Sequence, residues 1–177
     1  ATFNTSLVSS GCHKFTATYT GDTFYVAVTS TVLVQVVDTT TLTVTADDKS
    51  TTYGDSNVVF TYTFSGFVNG QTLATSDVTG TADCATTATN TSPVGPYPIT
   101  CTIGSLTSNN YTFTFVDGTL TVTPKTLIIT ADNQGKTYGF TLTFLGTEFT
   151  SVGLINADTI TTVTLTSAGA AAGAPNG

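Results

Sequence analysis

The 177-residue sequence contains no tryptophan and no methionine, and it has four lysine or arginine residues against eleven acidic ones. The net charge of −7 argues against nucleic acid as a partner, because phosphate neutralisation requires clustered Lys and Arg. Long apolar runs are also missing. The densest, Thr31–Val37, is far shorter than the roughly 18 residues that a membrane-spanning helix requires. The sequence therefore predicts no membrane span in this segment.

Residue types that carry catalysis or bind metals are equally scarce. His13 is the only histidine, and it stands beside Cys12 without the further ligands of a zinc site or the orienting group of a Cys-His nucleophile. Glu148 is the only glutamate, and it has no obvious partner for the paired carboxylates of a glycoside hydrolase. We therefore expect no enzymatic activity and no cofactor.

The most abundant residue is threonine, with 45 copies, and 11 Phe and 7 Tyr accompany it. Threonine is β-branched and favours a pleated, half-buried surface, so the composition predicts sheet. The aromatic and aliphatic residues supply enough apolar surface to offset the conformational entropy of the chain, which argues against disorder. We expect an all-β protein.

Alternation of apolar and polar residues supports this fold class, because successive side chains of a strand point to opposite faces. The segment TLTVTAD places Leu42, Val44 and Ala46 on one face. Similar runs follow at VVFTYTFSG, YPITCTI and NYTFTFVDGTLTVTP. In the last run, Asp117-Gly118 separates two alternating stretches and predicts a hairpin turn in which both residues have positive φ.

One sequence motif occurs twice in the chain. TADDKSTTYGD begins at Thr45 and TADNQGKTYGF begins at Thr130, and VNGQTL at Val68 is matched by INADTI at Ile155. The thirteen-residue segments that begin at Leu42 and Leu127 share seven identities. We therefore expect tandem small β-modules, each an Ig-like sandwich or a β-grasp-like unit: a complete repeat at 41–124 and a second at 125–177 that lacks its last strands. Residues 1–40 follow a different pattern and resemble the last hairpin of a preceding β-domain.

The ends of the sequence indicate a piece of a longer secreted polypeptide. No initiator methionine is present, and the final segment, AGAAAGAPNG, stops in the middle of the pattern. We expect processing or truncation of a larger extracellular protein.

The segments LTVTADDKSTTYGD, FVNGQTL, SPVGPYPITC and NYTFTFVDGTLTVTP, in this order, resemble the YGX-type MBG domain, a repeat of bacterial surface and adhesin-like proteins. The resemblance covers Thr41–Thr123 fully and the chain from Thr126 partly. GCHKFTATYTGDTFYVAVTSTVLVQVV is similar, over a shorter stretch, to the closing strands of a bacterial Ig-like repeat. This likeness implies extracellular tandem modules without known catalysis.

The repeated Tyr-Gly pairs are the first candidate site. We expect Gly54 and Gly139 to supply a turn conformation that a Cβ atom disfavours. We expect the rings of Tyr53 and Tyr138 to cover the end of the core while their hydroxyl groups stay exposed to solvent. The functional alternative is that these tyrosines are stacking platforms for sugars. A calcium site among the aspartates is not supported, because the second copy has Asn133 and Phe140 where the first has Asp48 and Asp55.

The cysteines form the second candidate site. Cys84 and Cys101 lie in one repeat, and a secreted protein favours a disulfide between them, the alternative being two buried free thiols. Cys12 is left over, and its partner, if it has one, would lie upstream of residue 1.

These features predict a non-enzymatic spacer module of a large repetitive cell-surface or secreted protein, with the flanking repeats as its partners. Two alternatives stay open. The complete repeat could bind a glycan or an extracellular protein through exposed Tyr and Thr, or the segment could be an accessory part of a secreted hydrolase.

Overall fold

The computed structural model describes residues 8–55 and 58–175. These residues fall into two compact units. The first unit holds residues 8–49, 58–87 and 96–120, and the second holds residues 50–55, 88–95 and 121–175. Both are built from β-strands, so the all-β class predicted from the alternating, threonine-rich sequence is confirmed.

The described residues form thirteen strands and one short 3-10 helix at Ala168–Ala170. The strands are β1 (Gly11–Phe15), β2 (Thr18–Tyr19), β3 (Val28–Thr29), β4 (Leu33–Val37), β5 (Thr40–Ala46), β6 (Lys49–Thr52), β7 (Tyr62–Ser65), β8 (Asp83–Thr86), β9 (Gly95–Thr102), β10 (Tyr111–Val116), β11 (Gly118–Thr123), β12 (Ile128–Ala131) and β13 (Phe149–Val152).

Strand β5 is the centre of a three-stranded sheet with the order β10, β5, β7. Its alternating sequence buries Leu42, Val44 and Ala46, each at most 3% exposed, while the intervening threonines stay half-buried. Strand β7 runs antiparallel to β5 and strand β10 runs parallel to it, with Tyr111 opposite Thr40 at the start of the ladder. Strand β5 is thus paired on both edges.

The core of the first unit lies against this sheet. Its buried members are Leu42, Val44, Val78, Leu106 and Tyr111. Partly buried side chains pack around them, most of them aromatic: Tyr62, Phe64, Phe67, Phe113, Phe115 and Ala82. Each fully buried large apolar side chain contributes about 1.5 to 3 kcal/mol relative to exposure, so this aromatic-rich cluster is the main source of stability.

A second sheet has four strands in the order β6, β11, β9, β8. Alternation again decides which residues are buried: Ile99 and Cys101 on β9, and Leu120 and Val122 on β11. Strand β8 lies at the edge and runs antiparallel to β9.

The hairpin predicted at Asp117-Gly118 is wrong. Strands β10 and β11 belong to different sheets, and neither Asp117 nor Gly118 has a positive φ. Gly118 is buried, and a Cβ atom there would lie 2.7 Å from the carbonyl oxygen of Ala46. The glycine is therefore required by a close approach of two backbones, where the chain passes from one sheet to the other, and not by a turn conformation.

The predicted N-terminal hairpin forms within residues 11–37. Strand β1 pairs antiparallel with β4, and β2 pairs antiparallel with β3. Several apolar side chains of β4 remain more than half exposed: Leu33, Val34 and Val36. This hairpin therefore contributes little to the buried core. The first seven residues of the segment predicted as an Ig-like remnant lie outside the described residues.

Residues 125–175 contain only β12, β13 and the 3-10 helix, and β12 and β13 pair antiparallel. None of the residues in this range is buried. The segment therefore has strands and turns but no closed apolar core among its described residues.

Candidate functional site

Cys84 and Cys101 are joined by a disulfide bond. They face each other directly across the antiparallel pair of β8 and β9, and their Cα atoms are 4.0 Å apart. Cys101 is buried, so the bond ties the edge strand β8 to the buried face of β9. The structure thus contains the bridge and not two free thiols.

Cys12 is a free, exposed cysteine on β1. The neighbouring His13 directs its Nε2 atom to the backbone oxygen of Ser9 at 2.7 Å. This contact gives His13 a local backbone partner. Across residues 8–55 and 58–175, no group of three or more His, Cys, Asp or Glu side chains is placed to hold a metal ion.

Asp47, Asp48 and Glu148 accept hydrogen bonds from backbone and hydroxyl groups nearby. Asp47 accepts a hydrogen bond from the hydroxyl of Thr61, and Asp48 accepts one from the N–H of Thr119 at 2.7 Å. The N–H groups of Leu145, Gly146 and Thr147 surround the carboxylate of Glu148 at 3.0 to 3.1 Å. These hydrogen bonds, that from Leu145 above all, hold the pKa of Glu148 below its ordinary value. Each of these three carboxylates therefore stabilises a turn or a strand end through hydrogen bonds.

Asp77, which the sequence shows only as one of several aspartates, organises the entry to β10. Its carboxylate accepts hydrogen bonds from the Ser108 hydroxyl at 2.7 Å and from the N–H groups of Asn109 and Asn110 at 2.7 and 3.2 Å. Partial burial raises the pKa of Asp77, but these hydrogen bonds outweigh that effect and leave the pKa below its ordinary value. The charged form is therefore favoured in the folded protein.

We expect Asp77→Asn to lower the free energy of unfolding by about 1 kcal/mol at pH 7, since a neutral amide oxygen replaces a charged acceptor of three hydrogen bonds. Because the folded-state pKa is depressed, the contribution of the charge is present above the unfolded-state pKa of about 3.9 and is lost as the pH falls through the folded-state value. Urea denaturation between pH 2 and 7 should show the two proteins converging at the acid end. A difference that is independent of pH would contradict a role for the charge.

The two Tyr-Gly pairs lie in turns of the same geometry. We call Thr52–Asp55 the first turn and Thr137–Phe140 the second turn. The fourth residue of each donates its N–H to the carbonyl of the first residue, at 2.9 and 3.1 Å. Gly54 has φ of +95° and Gly139 has φ of +90°. This is the position where a type II turn requires a positive φ, which glycine adopts without steric cost, so the turn role expected for both glycines agrees with their backbone geometry.

The two loops that match in sequence also share one backbone geometry. We call Val68–Gln71 the first loop and Ile155–Asp158 the second loop. In each, the fourth residue donates its N–H to the carbonyl of the first, at 3.0 and 2.8 Å. Both central residues have positive φ, 56° and 68° in the first loop and 52° and 60° in the second. These are the features of a type I′ turn.

Within the second unit, the first turn receives the second loop. A Cβ atom at Gly54 would lie only 2.0 Å from the Cδ1 atom of Ile155, so the absence of a side chain makes room for the isoleucine. The hydroxyl of Tyr53 donates a hydrogen bond to the carboxylate of Asp158 at 3.3 Å. The amide of Asn156 donates to the carbonyl oxygen of Asn90 at 3.0 Å. Glycine in the first turn thus serves both the turn and a contact with a segment about a hundred residues away.

Among the described residues no loop of this type lies against the second turn, whose Gly139 N–H donates instead to the carbonyl oxygen of Ala172 at 3.2 Å. A Cβ atom at Gly139 would meet no heavy atom within 4 Å, and the side chains of Tyr138 and Phe140 are each 69% exposed. Tyr53, in contrast, is half-buried. The expectation that the tyrosine ring covers the end of a core is therefore wrong for Tyr138, because none of the described residues from 125 to 175 is buried.

Sequence reasoning missed Ile155 and Asp158 as contact residues. The match between the two loops was visible in the sequence, but it marks a shared backbone turn and does not say what each loop touches. The change of spacing between the copies, from 85 residues at the turns to 87 at the loops, was the other available signal.

No helix within residues 8–55 and 58–175 is long and apolar enough to span a membrane. The family model of the MBG domain (YGX type) matches residues 42–121, a little under half of the chain. The search of curated proteins and the search of solved structures give no significant match. The matched range contains most of β5, the strands β6 to β10, the start of β11 and the first Tyr-Gly turn. Residues 42–121 of this chain therefore match the MBG domain of the YGX type, the family that the sequence motifs resemble.

Proposed function

We propose that this chain is a non-enzymatic spacer segment of a bacterial cell-surface or secreted adhesin-like protein. Three modules follow one another along it: the end of an Ig-like domain at 1–40, a complete MBG repeat at 41–124, and the beginning of a second repeat at 125–177. The family match supports the surface-module part of this proposal. The segment is extracellular and has the neighbouring modules of its own polypeptide as partners.

The observation that carries the proposal is the parallel ladder between β5 and β10. It joins six residue pairs, from Thr40 and Tyr111 to Thr45 and Val116. Strand β5 is the first strand of the MBG repeat, and β10 is among the last. The two strands that stand near the opposite ends of the repeat are therefore hydrogen-bonded side by side.

This arrangement suits a module that bears tension. When the chain is pulled just before β5 and just after β10, β5 is drawn toward its N-terminal end and β10 toward its C-terminal end. Because the strands are parallel, these forces act in opposite directions along the ladder, and all of its hydrogen bonds bear the load together. An antiparallel pair that is pulled from one end loses its hydrogen bonds one after another, at a lower force.

Force spectroscopy on the full chain tests the load-bearing role. Pulling through click-reactive residues introduced at Asp38 and Asp117, which are both exposed, loads the β5–β10 ladder along its length. Pulling through Asp38 and Ser65 instead peels the antiparallel pair of β5 and β7 from one end. We expect the first geometry to give an unfolding force several times higher than the second.

The two geometries share one attachment point and one protein, so differences in global stability cancel. Equal unfolding forces in the two pulling geometries would contradict a load-bearing role of the β5–β10 ladder, which is the observation that supports the spacer function. Attachment at Asp117 and Ser65 without Asp38 gives a further control, because it leaves the N-terminal end of β5 unloaded.

A further inference from the structure

We propose that the second turn, Thr137–Phe140, is a docking site for a further MBG repeat that presents a loop of the same type as Ile155–Asp158. The isoleucine of that loop would lie against Gly139, and its aspartate would accept a hydrogen bond from the hydroxyl of Tyr138. This docking rests on the proposed function, in which MBG repeats follow one another.

The first turn shows what such a site holds when it is occupied. Ile155 fills the space that a side chain at Gly54 would take, and Asp158 accepts the hydrogen bond of the Tyr53 hydroxyl. One contact is apolar and the other is polar, and both come from a single four-residue loop. Its type I′ geometry holds the two side chains three positions apart, so the loop binds the turn at two points.

The second turn has the same elements in the same geometry. Its glycine has nearly the same φ as Gly54, and its internal hydrogen bond is equivalent. The space beside the Cα atom of Gly139 is open, whereas that beside Gly54 is filled. Two adjoining aromatic side chains, Tyr138 and Phe140, are mostly exposed. Phe140 stands where the first turn has Asp55, so the second turn offers more apolar surface to an incoming isoleucine.

The first loop is a poorer occupant than the second. Its fourth residue, Gln71, already accepts a hydrogen bond from the hydroxyl of Tyr111, and the N–H of Val68 donates to that same hydroxyl at 3.4 Å. Tyr111 thus engages both ends of the first loop within its own repeat. The second loop keeps its aspartate directed at a Tyr-Gly turn, and we therefore assign a loop of this second type as the partner.

The test uses two full-length chains. Isotope-labelled wild-type protein is the acceptor, and its amide signals at residues 137–140 are followed by NMR. The donor is unlabelled Gly54→Ala protein, in which the new methyl group would clash with the Cδ1 atom of Ile155 and is expected to displace that side chain from the first turn. Amide hydrogen exchange of the Ile155–Asp158 segment tests whether the second loop has left the first turn. Unchanged protection of these amides in the Gly54→Ala protein would contradict the role of Gly54 in holding the loop.

We expect saturable shifts confined to the second turn when the donor is added. Two matched variants should weaken the binding by about tenfold or more, because burial of one aliphatic side chain is worth at least that factor. One is a donor that also carries Ile155→Ala, and the other is an acceptor that carries Gly139→Ala. Gly139→Ala has the same backbone cost as Gly54→Ala but meets no atom within 4 Å, so the acceptor stays folded.

Absence of shifts with a donor whose loop is free would overturn the docking site. Shifts that persist unchanged with Ile155→Ala or Gly139→Ala would overturn it as well, since they would report non-specific association. Neither result bears on the spacer function, because the pulling experiment loads β5 and β10 and does not involve the second turn.

Discussion

Leu42→Ala is expected to lower the free energy of unfolding of the first unit by about 2 to 5 kcal/mol. Leu42 is fully buried on β5, the strand that is paired on both edges. Truncation removes three carbon atoms from the centre of the aromatic-rich core and leaves a cavity that the flanking rings, held by their own strands and loops, fill only in part. A small domain is stable by roughly 5 to 15 kcal/mol, so this single change removes a large fraction.

Leu73→Ala is the matched control, because it makes the same chemical change at a side chain that is 49% exposed. We expect it to cost less than about 1 kcal/mol. Urea denaturation followed by circular dichroism suits a protein without tryptophan. Similar losses for the two variants would contradict the assignment of Leu42 to the core.

The second large effect is expected from the disulfide. Replacement of both Cys84 and Cys101 by serine should lower the free energy of unfolding by about 3 kcal/mol, the value for a closed loop of this length. The sequence separation of 17 sets the size of the loop whose freedom in the unfolded chain is restored. Buried Cys101 adds to the loss, since a serine hydroxyl there would have to be desolvated.

Cys12→Ser is the control for this measurement, because Cys12 is exposed and unbonded. It should leave the unfolding curve of the oxidised protein unchanged, whereas a reducing agent should reproduce the effect of the double replacement. Equal stability of the double-serine variant and the wild type would show that the bond between β8 and β9 does not constrain the fold.

Local alternation predicted well which residues would be buried. Leu42, Val44 and Ala46 are in the core, and the half-buried face of residues 58–64 is the one that the pattern indicated. Such predictions succeed because the period of a strand depends only on its own backbone. They do not extend to Ile103: the alternation in YPITCTI predicts that it shares the face of Ile99, but it lies beyond the end of β9 and is 53% exposed.

The partners of the strands could not be predicted in this way. An alternating strand carries no signal that names its neighbour, so the parallel pairing of β5 with β10 was not foreseen. Gly118 shows a related limit. An Asp-Gly pair between two strands fits a hairpin turn and fits a close backbone contact equally well, and only the position of Ala46 distinguishes them. The contact of Ile155 with Gly54 depends likewise on tertiary structure that the repeated motif does not encode.

The β5–β10 ladder also sets an order of events during synthesis. Thr41 and Thr112, which face each other across it, are separated by 71 residues, so β5 is made long before its parallel partner exists. Until β10 is made, one edge of β5 stays open and can pair with a strand of another chain.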